Sequence, residues 1–184
     1  MQMSFIGAVG SLMADSGLRE IHELIFAPNS VDQMLSGKAV DRAMRGYFLV
    51  DAVLNSIIFE SALSPDEQSK IDSLFNGGQV TLDEICDAQI LHQIAEKVED
   101  EKNKTKDQRT ASLWIMFMDM IDILKRFVKA ERTGNWELHL KTVADMLPYF
   151  SASGHNLYAK SAYIYLQNML KLPESHPDVH SQFL

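Results

Sequence analysis

Few residues in this chain of 184 have the types and spacing that chemistry requires. Asp119 and Asp122 stand three apart on a mostly apolar stretch, so both could enter one cleft as paired carboxylates. Metal-assisted phosphoryl transfer needs acids that converge on cations about 4 Å apart. Asp122 is equally placed to pair with Lys125 and Arg126 along one helix face, and we read the two acids as a solvated face. His176 and His180, in "HPDVH", have the i,i+4 spacing that could bring two imidazoles to one metal. A zinc site needs three or four ligands, and Pro177 between them speaks for a loose segment instead. Cys86 lacks a CxxC partner and reads as a small buried thiol. His22, His92, His139 and His155 show no ligand spacing, and no GxGxxG, GxxxxGK[ST] or GxSxG occurs.

Two clusters remain. The first is "ERTGNWELHLKTVADMLPYF" (131–150), which gathers Arg132, Asn135, Trp136, Glu137 and His139 about Gly134. It could be a reactive site, but capping rules favour a corner between helices. Gly134 would end one helix, and Asn135 would cap the next by accepting from a first-turn amide. Trp136, Leu140, Val143 and Leu147 then recur on one face, Arg132 and Glu137 would clamp the corner by charge, and Pro148 should kink or end the helix near Tyr149 and Phe150. The second cluster is Lys38, Arg42 and Arg45 in "SGKAVDRAMRG", at helical spacing. It lacks the upstream glycine and strand of a phosphate loop, which leaves a weak anion-facing strip or an ordinary solvated basic face. From these residues we expect no catalytic group, no metal ligand and no cofactor.

The elements that must carry these groups are legible from helix punctuation. Ser30 with Gln33, Ser64 with Glu67, and Thr81 with Glu84 match the capping box, and Pro65 suits a first helical position. Gly17, Gly77, Gly78, Gly134 and Gly154 fall between periodic segments. Helices are predicted at about 2–14, 18–26, 31–35, 38–61, 65–76, 82–102, 108–132, 136–150 and 156–171, with a short turn near 177–183. Strand alternation is sustained nowhere, so the fold class is all-α: a multi-helix bundle with a long central helix at about 108–132. Leu113, Phe117, Met120, Ile121, Leu124, Phe127 and Val128 form the apolar stripe of that helix, opposite Asp119, Asp122, Arg126 and Lys129. "EKVEDEKNKTKDQRT" (96–110) has no apolar residue after Val98. It is read as a charged linker or frayed helix joint between an N-terminal helical part, 1–95, and a C-terminal one, 111–184, which could share one core.

Composition sets outer bounds. With 46% hydrophobic and 23% charged residues the chain belongs among globular proteins rather than disordered ones. A net charge of −8 argues against strong independent nucleic-acid binding, although a local basic strip is compatible with it. One cysteine excludes an intramolecular disulfide and fits a reducing, intracellular setting. The apolar opening segment has no basic residue before Arg19, so it reads as a helix with small residues for close packing and not as a signal peptide. The richest apolar run, "LWIMFMDMIDIL", is interrupted by two aspartates, so no membrane span is expected.

Three blocks taken together carry a resemblance: "SFIGAVGSLMADSGLREI", "SVDQMLSGKAVDRAMRGYFLVDAVLN" and "RTGNWELHLKTVADMLPYFSASGHNLYAKSAYIYLQ". They resemble a group of uncharacterised animal proteins that occur in many divergent copies and derive from mobile elements. The resemblance spans most of residues 4–180 and is weakest at 60–110. It implies an internal helical segment of a longer, transposase-like protein, with a nuclear location. A complete transposase of that kind would need a mixed sheet with acids at strand ends, which this sequence lacks, so no catalytic residue is carried over. The resemblance implies a non-catalytic helical domain whose partner is the rest of a longer parent chain. The residues themselves leave open a free-standing helical module that binds a protein partner. A segment of a longer fold should leave an apolar face open, on the opening "MSFIGAVGSLM" helix or on the terminal "AYIYLQNML" helix, whereas a free-standing module should carry a contiguous apolar patch with exposed methionine and aromatic residues.

Overall fold

The computed structural model describes residues 1–76, 89–105 and 107–181. Gly77, Gly78, the Thr81–Glu84 capping pair, Cys86 and the side chain of His180 lie outside the described residues. Among the described residues there are eleven helices and no strand. They are α1 (Gln2–Leu12), α2 (Leu18–Glu23), α3 (Pro28–Leu35), α4 (Val40–Ala62), α5 (Pro65–Asn76), α6 (Gln89–Thr105), α7 (Arg109–Thr133), α8 (Trp136–Ala152), α9 (Asn156–Leu170), α10 (Leu172–Ser175) and α11 (Pro177–His180). The expected all-α architecture is therefore present, with α7 the longest described helix. The chain groups into two compact units, one formed by 1–48 and 116–184, the other by 49–115. The charged stretch 96–110 falls within the second unit; it is helical to Thr105, and helix resumes at Arg109.

In the first unit, α1 packs against α3 and α8. Five consecutive α1 residues, Phe5 to Val9, are buried, which requires neighbours on every side of the helix. Small side chains allow the approach: a Cβ on Gly10 would sit 2.1 Å from the Leu35 carbonyl oxygen. On the other side, the Phe5 ring meets Phe150 edge-on at 5.8 Å and Tyr149 at 6.1 Å. Tyr47 is the polar centre of this core. Its hydroxyl donates to Ile6 O at 3.4 Å, and its ring lies edge-on to His22 and Phe117, so it touches α1, α2 and α7. The predicted α7 stripe is confirmed within this unit: Phe117, Met120, Ile121, Leu124 and Phe127 are buried, and Val128 is half-buried. Met34, Met120 and Met146 have no exposed surface, so these methionines fill the core.

Two helix boundaries depart from the punctuation. The third helix begins at Pro28, with Ala27 as N-cap, instead of at residue 31 with Ser30 as its cap. Pro28 takes the first helical position, where its missing N–H costs nothing, and Ser30 instead receives a hydrogen bond from Arg42. Pro148 does not end α8, which runs on to Ala152, two residues past the expected 150. Only one backbone donor is lost there. Burial of Phe150 against Phe5 holds the last turn in place.

In the second unit, Pro65 starts α5 as expected. The Ser64–Glu67 pair forms, with the Ser64 amide and hydroxyl both donating to the Glu67 carboxylate at 3.1 and 2.9 Å. Lys97 of α6 also binds Glu67, and this ammonium, followed by the Ser64 donors, pulls the carboxyl pKa down to about 2. Leu63 and Ile71 are buried in this unit.

Candidate functional site

The corner at Gly134 is built much as its residues dictate. Gly134 has φ +65°, a left-handed conformation that turns the chain between α7 and α8. Asn135 Oδ1 accepts from the Leu138 amide at 2.9 Å, which is the expected cap. Trp136 lies parallel to the His139 imidazole, with centroids 5.5 Å apart and planes inclined by 6°. His139 is the hub. Its Nδ1 lies 2.6 Å from Glu131 Oε1 on α7, and its Nε2 lies 3.0 Å from the Tyr165 hydroxyl on α9. Phe127 covers the ring from α7 at a centroid distance of 5.3 Å. Burial, then the charge of Glu131, raises the pKa of Tyr165 above the usual phenol value.

This carboxylate–imidazole–phenol row ties three helices together, and both imidazole nitrogens are engaged within it. Its geometry is that of a joint. The charge clamp expected between Arg132 and Glu137 does not form: no ion pair joins them, and Glu131 supplies the carboxylate instead. The reason is angular, since Glu131 faces α8 and α9 while Arg132, one residue on, turns about 100° away. Phe127 and Tyr165 were not in the predicted cluster. Phe127 had only the helical spacing of the α7 stripe to announce it, and nothing near Tyr165 marks it as a partner of His139.

The acids of α7 settle into pairing. Arg126 Nε binds Asp122 at 2.8 Å and its Nη1 binds Asp145 of α8 at 2.8 Å, so Asp122 is tied to an ion-pair bridge between helices. Among the described residues no three His, Cys, Asp or Glu side chains are placed to hold a metal ion. His176 lies exposed between α10 and α11.

The structure brings Lys38, Arg42 and Arg45 together. All three line an open depression of about 580 Å³ at the start of α4, with Phe26, Gln33 and Asp41 among its other walls. A second, smaller depression, of about 340 Å³, is lined by Phe48, Lys125, Val128, Lys129, Arg132 and Thr133. The Lys125 ammonium stands 5.7 Å from the centre of the Phe48 ring, in cation–π geometry.

No single helix among the described residues is long and apolar enough to cross a membrane. Comparison with known proteins finds no matching curated protein and no matching solved structure. One family model, described as a domain of unknown function (DUF8702), matches residues 1–184, and the chain therefore belongs to that family.

Proposed function

We propose that this is a non-catalytic helical domain that binds another protein helix through the outer face of α9. The observation that carries the reading is the exposure of large apolar side chains on that helix: Leu157 82%, Tyr158 48%, Tyr163 54%, Ile164 48% and Leu170 57%. Only Ala162 and Leu166 of its fifteen residues are buried. Leu157 and Ile164, and likewise Tyr163 and Leu170, are seven residues apart, so each pair returns to nearly one side of the helix as a helix-binding seam requires. At roughly 200 Å² per large side chain, the Leu157–Ile164 side exposes on the order of 250 Å² and the Tyr163–Leu170 side, about 120° around the helix, on the order of 200 Å². The opening helix, the other expected candidate, is instead buried between α3 and α8.

The His139 row supports the non-catalytic reading, because its polar atoms are consumed in joining helices. The mobile-element resemblance supplies a setting in which the covering partner is the remainder of a longer, transposase-like chain in the nucleus. A free-standing module that binds a separate protein is the alternative, and the exposed face suits both.

Replacing Leu157 and Ile164 together by Lys tests the reading. Helix content and thermal midpoint should be unchanged, since exposed positions cost within about 0.5 kcal/mol. Association of the chain with itself at high concentration should be lost. A large fall in stability would mean that these residues serve the core, and the proposal would then fail.

A further inference from the structure

We propose that the depression at the start of α4 is a binding site for a nucleotide, that is, a phosphate monoester joined to a planar base. Phe26, Lys38, Asp41, Arg42 and Arg45 all line it. Three cations against one carboxylate leave a local excess of two positive charges in a chain of net −8. A phosphate monoester carries about −1.5 to −2 near pH 7, which matches that excess. The cations are not neutralised within the chain. Lys38 and Arg45 join no ion pair among the described residues, and Arg42 donates to the uncharged Ser30 hydroxyl. The neighbouring Asp32 is taken by Arg19.

The walls of the depression are held by the fold. Arg42 and Arg45 stand three apart on α4 and share a face. Lys38 sits in a pinned link between α3 and α4. There the Gly37 amide donates to Met34 O and the Ala39 amide to Gln33 O, each at 3.0 Å. Gly37 has φ +77° and lies so close to α1 that a side chain on it would collide with Met3 O. Phe26 is fixed by its amide, which donates to His22 O at 2.8 Å, and its ring lies 6.2 Å from the buried His22 imidazole. An aromatic ring supported in this way beside cations is a platform on which a base can stack. The volume, about 580 Å³, falls within the range of small-molecule sites. All of its lining residues come from one stretch, 26–45, so the cations gather in one hollow, as a single phosphate group requires. A lipid headgroup can present the same phosphate chemistry, and Leu24 and Ile25 stand exposed next to Phe26 in the chain, so lipid is the source to separate from free nucleotide.

Isothermal titration calorimetry of the whole chain tests the proposal. The probes are the monophosphates and diphosphates of adenosine and guanosine, the two nucleosides, inorganic phosphate, and vesicles containing phosphatidic acid. Saturable one-to-one binding of at least one nucleotide is expected, with a Kd below about 1 mM. That nucleotide should bind at least about tenfold more tightly than its nucleoside or inorganic phosphate. Lys38→Gln with Arg45→Gln should weaken it at least about tenfold. Phe26→Leu, which keeps an apolar side chain beside His22, should weaken it about fivefold or more. The exposed Lys141→Gln on α8 should leave affinity unchanged. The Lys38 and Arg45 side chains are exposed and outside any ion pair, so their double variant stays informative even where Phe26→Leu lowers stability. The proposal is overturned if no nucleotide saturates the chain, if nucleoside or inorganic phosphate binds as tightly, if the double variant binds like the parent, if Lys141→Gln is equally damaging, or if the vesicles alone are bound.

Discussion

Replacing Gly10 by Ala is the sharpest probe of how the first unit is held together. Gly10 lies inside α1 with no left-handed backbone requirement, so intrinsic helix propensity alone makes alanine better by about 1 kcal/mol. The structure predicts the opposite sign. The added methyl would lie 2.1 Å from Leu35 O, 2.8 Å from Leu35 C and 2.9 Å from Leu35 Cα. An ordinary carbon–oxygen contact needs about 3.3 Å, so α1 and α3 must part by roughly 1 Å. Both surfaces are backbone, so no rotamer change can relieve the clash. Overpacking of this kind costs about 3 kcal/mol, at the upper end of its usual range, because Phe5, Ile6 and Val9 are fully buried on the same helix. Net of the propensity gain, destabilisation should be about 2 kcal/mol, or a midpoint about 4–8 °C lower in a chain of this size. Thermal unfolding followed by far-ultraviolet circular dichroism would measure it. A midpoint equal to or above that of the parent would refute the close packing of α1 on α3.

Two further outcomes follow from the described side chains. His22 is buried with Nδ1–H donating to Leu18 O at 2.8 Å, and Nε2 carries no hydrogen bond. Burial lowers its pKa below the ordinary imidazole value, outweighing the nearby Leu18 and Gly46 backbone groups that act to raise it. Below about pH 6.5 the unfolded chain therefore takes up a proton that the folded chain resists, so stability falls with falling pH until the folded pKa is passed. Urea unfolding between pH 7 and 5 should show this slope, at most about 1.4 kcal/mol per unit, and His22→Leu should remove that part of it. Asn135→Ala should cost about 1 kcal/mol by leaving the Leu138 amide without its acceptor, whereas Glu137→Ala, which breaks no ion pair with Arg132, should be nearly neutral.

The comparison of residues with structure has a physical pattern. Several features decided within one or two turns were legible: the Asn135 cap, the Pro65 start, the turn at Gly134 and the apolar stripe of α7 all rest on local rules, whereas the equally local Ser30–Gln33 cap gave way to a start at Pro28. Features decided by packing were not. The last turn of α8, beyond Pro148, runs two residues past the expected 150, and its Phe150 is buried against a helix more than a hundred residues earlier in the chain. Tyr165 joins His139 only because α9 folds back on α8. Lys129 was grouped by helical spacing with Asp119, Asp122 and Arg126, but the approach of Phe48 places it with Lys125 and Arg132 beside the second depression. Spacing tells which residues share a face; it does not tell what that face meets.

The binding role of α9 is tested most directly by the mass of the unmodified chain in solution. An uncovered apolar face that is built to receive a helix should pair with a second copy when no other partner is present. Sedimentation equilibrium over a concentration series should show a weight-average mass rising above the monomer value of 20.8 kDa. A mass that stays at 20.8 kDa at every concentration would contradict the account.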